Sequence, residues 1–392
     1  MKLALNLGLV CLVLAVVVVA CAAPPAPTSS TPLPAITAKA PAPTSNLPPI
    51  RQAQGMPPAS EDAAWAKVID AAKKEGKITL YTYSFTSDIG LAVFQGFQQK
   101  YGISVEPVTG IGTVLIERIK SEVAAGRHIA DTIDTASPIV ATAKALGITT
   151  SVGDIPVLRE KDVWQAYPAL DVEAHMLGLE FSAQVLFINT SQVSLEQAPR
   201  SYAELLEPRW RGKKVGIATP EATPNFVWVY ALRKQLGLSD DYFAQMGRQD
   251  LRIYATVRDM YRSIVTGEIA VLAPGSMGTL APDIAKGAPI RPIEPKEGAM
   301  ADYGNTIAAV KDGPHPNATR LFINWLLSAE GQTVFHKAKS NASVRKDVPD
   351  FTPEAGRLQI KKSVPMDLAV HTETSRIMRD GDLARIMGLV TK

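Results

Sequence analysis

Histidine and cysteine are the first residues to test for chemistry, because imidazole and thiolate supply most nucleophiles, general bases and soft-metal ligands. The five histidines, His128, His175, His315, His336 and His371, are scattered, and no spacing sets two of them on one helix face. The two cysteines, Cys11 and Cys21, both precede any folded segment, which excludes a disulfide framework and a structural zinc site. Neither a G-x-x-x-x-G-K-[ST] phosphate loop nor an H-E-x-x-H helix occurs. Gly110-Ile-Gly112-Thr-Val-Leu115 opens like a dinucleotide fingerprint but lacks the third glycine. Its position between a strand and a helix still leaves backbone N–H groups that can receive an anion. Pro274-Gly-Ser-Met-Gly278 misses the G-x-S-x-G spacing of a nucleophile elbow. With no catalytic constellation, the chain is expected to be a non-enzyme that carries neither cofactor nor metal.

The elements that must position any site belong to a chain of 392 residues, 46% apolar and 20% charged, long enough for one or two sizeable cores. Lys and Arg number 41 against 38 Asp and Glu, a formal charge of +3. No dense basic run is present, so nucleic acid is not an expected partner.

The N-terminus reads as an address. Lys2 precedes a charge-free apolar run from Leu3 to Ala20, the pattern of a secretory signal. The run ends Val18-Val19-Ala20-Cys21, which resembles the bacterial lipobox. Residues 1–20 are then a lipoprotein signal peptide, and Cys21 is the lipid attachment site that holds the protein to a membrane with its body in water. The other reading of the run is an uncleaved anchor. From Ala22 to Pro58 the chain holds 11 prolines, and only Lys39 and Arg51 carry charge. Residues 21–59 are expected to form a disordered, Pro-rich tether that reaches on the order of 100 Å when extended.

Periodicity begins at Glu61. Trp65, Val68, Ile69 and Ala72 share a helix face ended by Gly76, and Lys77–Tyr83 is a β-branched and aromatic strand. Strand and helix then alternate: Ile103–Val108, Thr113–Ala125, Asp131–Thr135 and Ser137–Leu146. Leu177–Asn189 is extended and leads into a second unit. There Lys213–Ala218 and Ile269–Ala273 are strands, and Val257, Met260, Tyr261 and Ile264 make a helix face stopped by Gly267. Thr306–Val310 is a strand, followed by a helix with the face Ala318, Leu321, Phe322 and Trp325. The pattern predicts an α/β protein whose sheets are largely parallel and covered on both faces.

Several stretches, in order, carry a resemblance: Ala71–Tyr83; Glu117–Arg127 followed by Ala130-Asp131; Ser201–Lys213, which reads SYAELLEPRWRGK; and Ala318–Gln332. Together they resemble the extracellular solute-binding proteins of bacterial ABC importers, within the group of ferric-iron, phosphonate and thiamine-type binders. The resemblance implies a two-lobed, type 2 periplasmic-binding-protein fold with a crossover hinge. Lobe 1 is expected over 60–180 and 303–392 and lobe 2 over 181–302, with crossings near Phe181–Gln184 and Met300–Tyr303. It also implies an exported, lipid-anchored monomer facing the periplasm or cell exterior, with permease and ATPase subunits as partners.

The resemblance places a small-molecule ligand in the cleft between the lobes, lined by loops at the carboxyl ends of strands. These are Ser84, Phe85 and Thr86; Gly112 and Thr113; and Thr135 on lobe 1. On lobe 2 they are Thr219, Thr223, Asn225 and Ser276, with Gln184 and Tyr303 at the crossings. Short hydroxyls and glycines beside helix starts suit carboxylate, phosphonate or phosphate groups, although any one of them can be an ordinary helix cap. Tyr83, Phe85 and Tyr303 are candidates for an aromatic wall. Ferric binders of this group typically carry two adjacent tyrosines in the second lobe, and this chain has no Tyr-Tyr pair. The expected ligand is therefore a small organic anion, with Fe(III) as the alternative. A ligand-presenting sensory adaptor and a tethered enzyme are the competing classes.

Overall fold

The computed structural model describes residues 59–166, 168–220 and 224–389. The expected signal segment, Cys21 and the tether up to 58 lie outside the described residues, as does Thr223. The elements run, in chain order, α1 Ala59–Glu75, β1 Lys77–Thr82, α2 Ser87–Tyr101, β2 Ser104–Thr109, α3 Gly112–Ala124, β3 Thr132–Ala136, α4 Ser137–Ala145, β4 Thr149–Thr150 and β5 Leu177–Gly178. A second series follows: β6 Ser182–Asn189, β7 Val215–Ala218, α5 Asn225–Ala231, α6 Asp240–Gly247, β8 Arg252–Tyr254, α7 Val257–Thr266, β9 Val271–Ser276, α8 Met277–Ala285, β10 Ile290–Ile293 and β11 Ala299–Asp302. The chain ends with β12 Asn305–Val310, α9 Pro316–Leu327, α10 Ala329–Lys339, β13 Ser363–Pro365, α11 Leu368–Asp380 and α12 Asp382–Ile386.

These strands form two sheets, one per lobe. The first has the order β2-β1-β3-β12-β4, with β5 also on β12; the second has the order β13-β11-β6-β9-β7-β8, with β10 also on β6. Strands β2, β1 and β3 are parallel, as expected of strand-helix alternation. The sheets are nevertheless mixed, because the strands that return from a crossing run backwards. β12 is antiparallel to β3 and β6 is antiparallel to β9. The chain passes from the first sheet to the second between Gly178 and Ser182 and returns between Asp302 and Asn305.

Helix ends follow the sequence chemistry. Gly102 and Gly267 adopt left-handed φ values of 74° and 79° and close α2 and α7 by returning N–H groups to Gln98 and Ser263 carbonyls. Thr256 caps α7 by accepting from the Asp259 amide. Each sheet is covered on both faces. On the first, one core contains Phe85, Phe97, Phe322, Trp325 and Phe335, and the other Tyr81, Leu115, Ile119, Ile133 and Val140. On the second, Tyr202, Phe226, Phe243 and Met246 fill one face and Phe187, Met260, Ile264 and Leu280 the other. Each such side chain contributes about 1.5–3 kcal/mol by leaving water.

The C-terminal boundary differs from the expectation that 303–392 belongs to lobe 1. β13 pairs with β11, and Val364, Met366, Ile377, Leu383 and Met387 are buried in the core of the second sheet. The chain therefore crosses between lobes a third time after α10. α11 also reaches the first lobe, where the Ser375 and Thr142 hydroxyls hydrogen-bond. Among the described residues no helix is long and apolar enough to cross a membrane.

Candidate functional site

Strand register puts the expected loops at facing edges of the two sheets. Thr82 pairs with Thr109 and Asp134, and Ala136 pairs with Asn305, the first residue after the return crossing. The carboxyl ends of β1, β2 and β3 therefore share the edge at which the chain changes lobe. In the second sheet Ser276 pairs with Gln184, just after the outward crossing, and β7 is parallel to β9, so Thr219 emerges at the same edge. α3, α5 and α8 begin at these edges, and none has an acidic residue in its first turn.

The turn after β1 is built on Asp134, a fully buried carboxylate on β3. It accepts from the Thr82 hydroxyl, the Ser84 hydroxyl and the Ser84 amide, the last at 3.1 Å. Burial pushes its pKa above the usual carboxylate range, opposed by these hydrogen bonds and by the charge of Lys339. The Phe85 amide donates to the Thr82 hydroxyl at 2.9 Å. Phe85 is 1% exposed and packs 5.2 Å, centroid to centroid, from Phe335. It belongs to the core of the first lobe. Thr86 precedes α2 without a side-chain cap bond.

Gly112 is buried directly against Thr135, where a Cβ would collide with the threonine hydroxyl. Thr135 is thus an inward residue that sets the approach of α3, while Thr113 is exposed on the first turn. In the second lobe Ser276 caps α8 by accepting from the Thr279 amide, and its Oγ lies 3.1 Å from that of Ser182. Its own amide donates to the Tyr261 hydroxyl at 3.0 Å. Asn225 is buried at the start of α5, and Thr219 is half-buried, with its amide donating to the Tyr254 carbonyl. Gln184 is 3% exposed, and its Oε1 has no hydrogen-bond partner among the described residues. Tyr303 is half-buried, its ring packed over Gly178; Tyr83 is 45% exposed at the rim.

A charged knot at the crossings escaped the sequence reading. Glu180, 4% exposed on the outward crossing, pairs with Lys339 at 2.5 Å. The Asn305 amide donates to Glu180 at 3.1 Å, and the Asn341 amide donates to its other oxygen. One carboxylate thus binds the outward crossing, the return crossing and the segment that begins the third. Gly304, with φ 62°, leaves room for it; a Cβ there would collide with the carboxylate. Asp134 carried a readable signal, as a carboxylate in a strand expected to be covered on both faces. Glu180 and Lys339 did not, since their partnership depends on tertiary approach alone.

Other candidate groups lie elsewhere. Asp171, Glu173 and His175 are spaced closely enough to hold a metal ion, but Asp171 already accepts from three backbone amides and pairs with Lys144 at 3.0 Å. These residues stand by the Thr149 end of the first sheet, away from the crossings, as does a hollow of about 690 Å³ lined in part by Lys144, Leu170, Asp171 and Leu368. The Tyr81 phenol bonds Glu122 at 2.7 Å, and its pKa is pushed up to about 12 by burial and by that carboxylate. Burial likewise raises Tyr202 and Tyr242.

Comparison with solved structures agrees with this architecture. Iron-bound HitA from Pseudomonas aeruginosa is 22% identical with TM-score 0.63, over 80% of this chain and 99% of that one. AfuA from Actinobacillus pleuropneumoniae, with fructose-6-phosphate bound, is 18% identical with TM-score 0.68 over the same shares. The IdiA (FutA) protein of Trichodesmium, in complex with iron and citrate, is 20% identical with TM-score 0.63, again over 80% and 99%. At these identities the likeness is one of fold. Residues 161–361 match the sequence model of the bacterial extracellular solute-binding proteins, and the chain belongs to that family.

Proposed function

We propose that this protein is the solute-capturing component of an ABC import system. It holds a small organic anion, a carboxylate or phosphonate in class, in the cleft between its lobes and delivers it to the permease and its ATPase. The observation that carries this reading is the meeting of five strand ends, from both sheets, at the edges where the chain changes lobe. Helices α3, α5 and α8 start there with no acid in their first turns and hydroxyls or buried amides beside them. The uncapped N–H groups at the start of α3 favour negative charge, while at α8 the Gly278 and Thr279 amides already donate to the Ser182 and Ser276 hydroxyls; closure of the lobes would bury a ligand held between them. We further propose that the protein acts as a monomer on the outer face of the membrane, anchored by lipid on Cys21 behind a signal peptide. Replacing Cys21 with Ser should release it from membranes.

Ferric iron is the second reading, because HitA and the Trichodesmium protein are iron-bound. Against it stand the absence of any Tyr-Tyr pair and the loop Ala273–Gly278, which has no phenol. Calorimetry and thermal unfolding of the purified protein with carboxylates, phosphonates, sugar phosphates and Fe(III) separate the two. One-to-one binding of an anion without turnover is expected. Stabilisation by Fe(III) alone would overturn the anion reading.

A further inference from the structure

Building on the reading of the cleft as an organic-anion site, we propose that Lys339 is the cation that receives the anion and sets the specificity of the site for charge. Across the described segments at the facing edges, residues 83–87, 110–113, 136–137, 180–184, 219–220, 224–225, 276–278, 302–305 and 339–341, Lys339 is the only Lys or Arg. An anion buried there by closure has one full positive charge within the site to meet, since helix starts supply only partial charge.

The side chain is held for that task. Its stem ends α10, and its ammonium lies 5.5 Å from the centroid of the Phe335 ring, which in turn packs on Phe85 under the turn after β1. Its charge acts on Asp134, the carboxylate that holds this turn. Lys339 is 14% exposed and Glu180 5% exposed at the side chain. An ammonium carries three N–H donors, and here one faces Glu180. Glu180 does not depend on Lys339 alone, because Asn305 and Asn341 each donate to it. Lys339 can therefore donate to a ligand oxygen while Glu180 remains satisfied. The knot also stands where the lobes meet: a Cβ on Gly278, at the start of α8, would come within 3.3 Å of the Asn341 amide nitrogen.

The test uses the purified protein with citrate, fructose-6-phosphate and phosphonoacetate as probes, titrated by calorimetry at low and high salt. For an anion that the wild type binds, Lys339→Gln weakens affinity at least about tenfold, the scale of one hydrogen bond to a charged group, and flattens its salt dependence. Because Lys339→Gln leaves Glu180 short of its counter-charge, the double variant Glu180→Gln/Lys339→Gln restores a neutral, similarly shaped pair. A lysine that only braced the hinge would let the double variant bind like the wild type. A lysine that meets the ligand leaves the double variant as weak as Lys339→Gln. Equal anion affinity in the wild type and Lys339→Gln overturns the role of Lys339 and leaves the anion site standing. Failure of the wild type to bind any of the three anions overturns both.

Discussion

The Ser84 hydroxyl and amide both donate to the carboxylate of Asp134, so one buried side chain on β3 fixes the turn that leaves β1. Thr82 adds a third donor. Asp134→Ala leaves these donors without their fully buried acceptor and should lower stability by about 2–4 kcal/mol. Ser84→Ala removes one donor and should cost about 1 kcal/mol. Urea unfolding checks both. If Asp134→Ala unfolds at the wild-type midpoint, the carboxylate does not hold the turn.

Phe85 separates packing from binding. Its ring lies between Phe94 and Phe335, at centroid distances of 6.1 and 5.2 Å. Phe85→Ala should lower stability by about 3–5 kcal/mol through the cavity it leaves, while the protein that remains folded binds ligand nearly as before. Lost binding with an unchanged unfolding midpoint would return Phe85 to the cleft wall.

Local pattern explains why much of the fold was legible. Val257, Met260, Tyr261 and Ile264, stopped by Gly267, read as a helix and form one. The direction in which Phe85 points was not legible, because its neighbours Phe94 and Phe335 come from α2 and from the distant α10. Nor was the pairing of Glu180 with Lys339, which no periodicity encodes. Amphipathic spacing announces that a helix face is buried but not which core receives it, and α11 packs on α4 of the first lobe as well as on α5 of the second.

His371 sits on α11 with no exposed surface. Burial lowers its pKa from 6.5 to about 4, against the opposing pull of Asp367 and a hydrogen bond with the Met366 backbone. The unfolded chain therefore binds more protons between those two values. The contribution is complete above about pH 6.5 and is lost as pH falls toward about 4, by about 3 kcal/mol in all. His336 is lowered as well, also by burial, so the diagnostic quantity is the difference between the wild type and His371→Gln. Urea unfolding across this window should give a shallower loss of stability in the variant. Parallel pH profiles would show that His371 does not titrate differently in the folded state.

The third crossing gives residues 363–389 a place in the core of the second lobe in addition to the contact of α11 with α4 of the first. Val364, Met366, Ile377, Leu383 and Met387 lie in the core of the second sheet, beside Phe226, Tyr242 and Met246. Five such side chains are together worth about 8–15 kcal/mol at 1.5–3 kcal/mol each, as much as the whole stability of a typical domain. Ending the chain after Lys362 should therefore abolish cooperative unfolding of the second lobe, not merely trim a surface helix. It also removes the strand that covers the outer edge of β11, leaving backbone N–H and C=O groups open to other chains. The expected readouts are aggregation on expression, and rapid proteolysis within 182–302 of any soluble fraction. Had the C-terminal segment served only the first lobe, the second sheet would survive truncation intact, with sites within 182–302 protected from protease as in the full chain. That outcome would restore the simpler two-crossing arrangement.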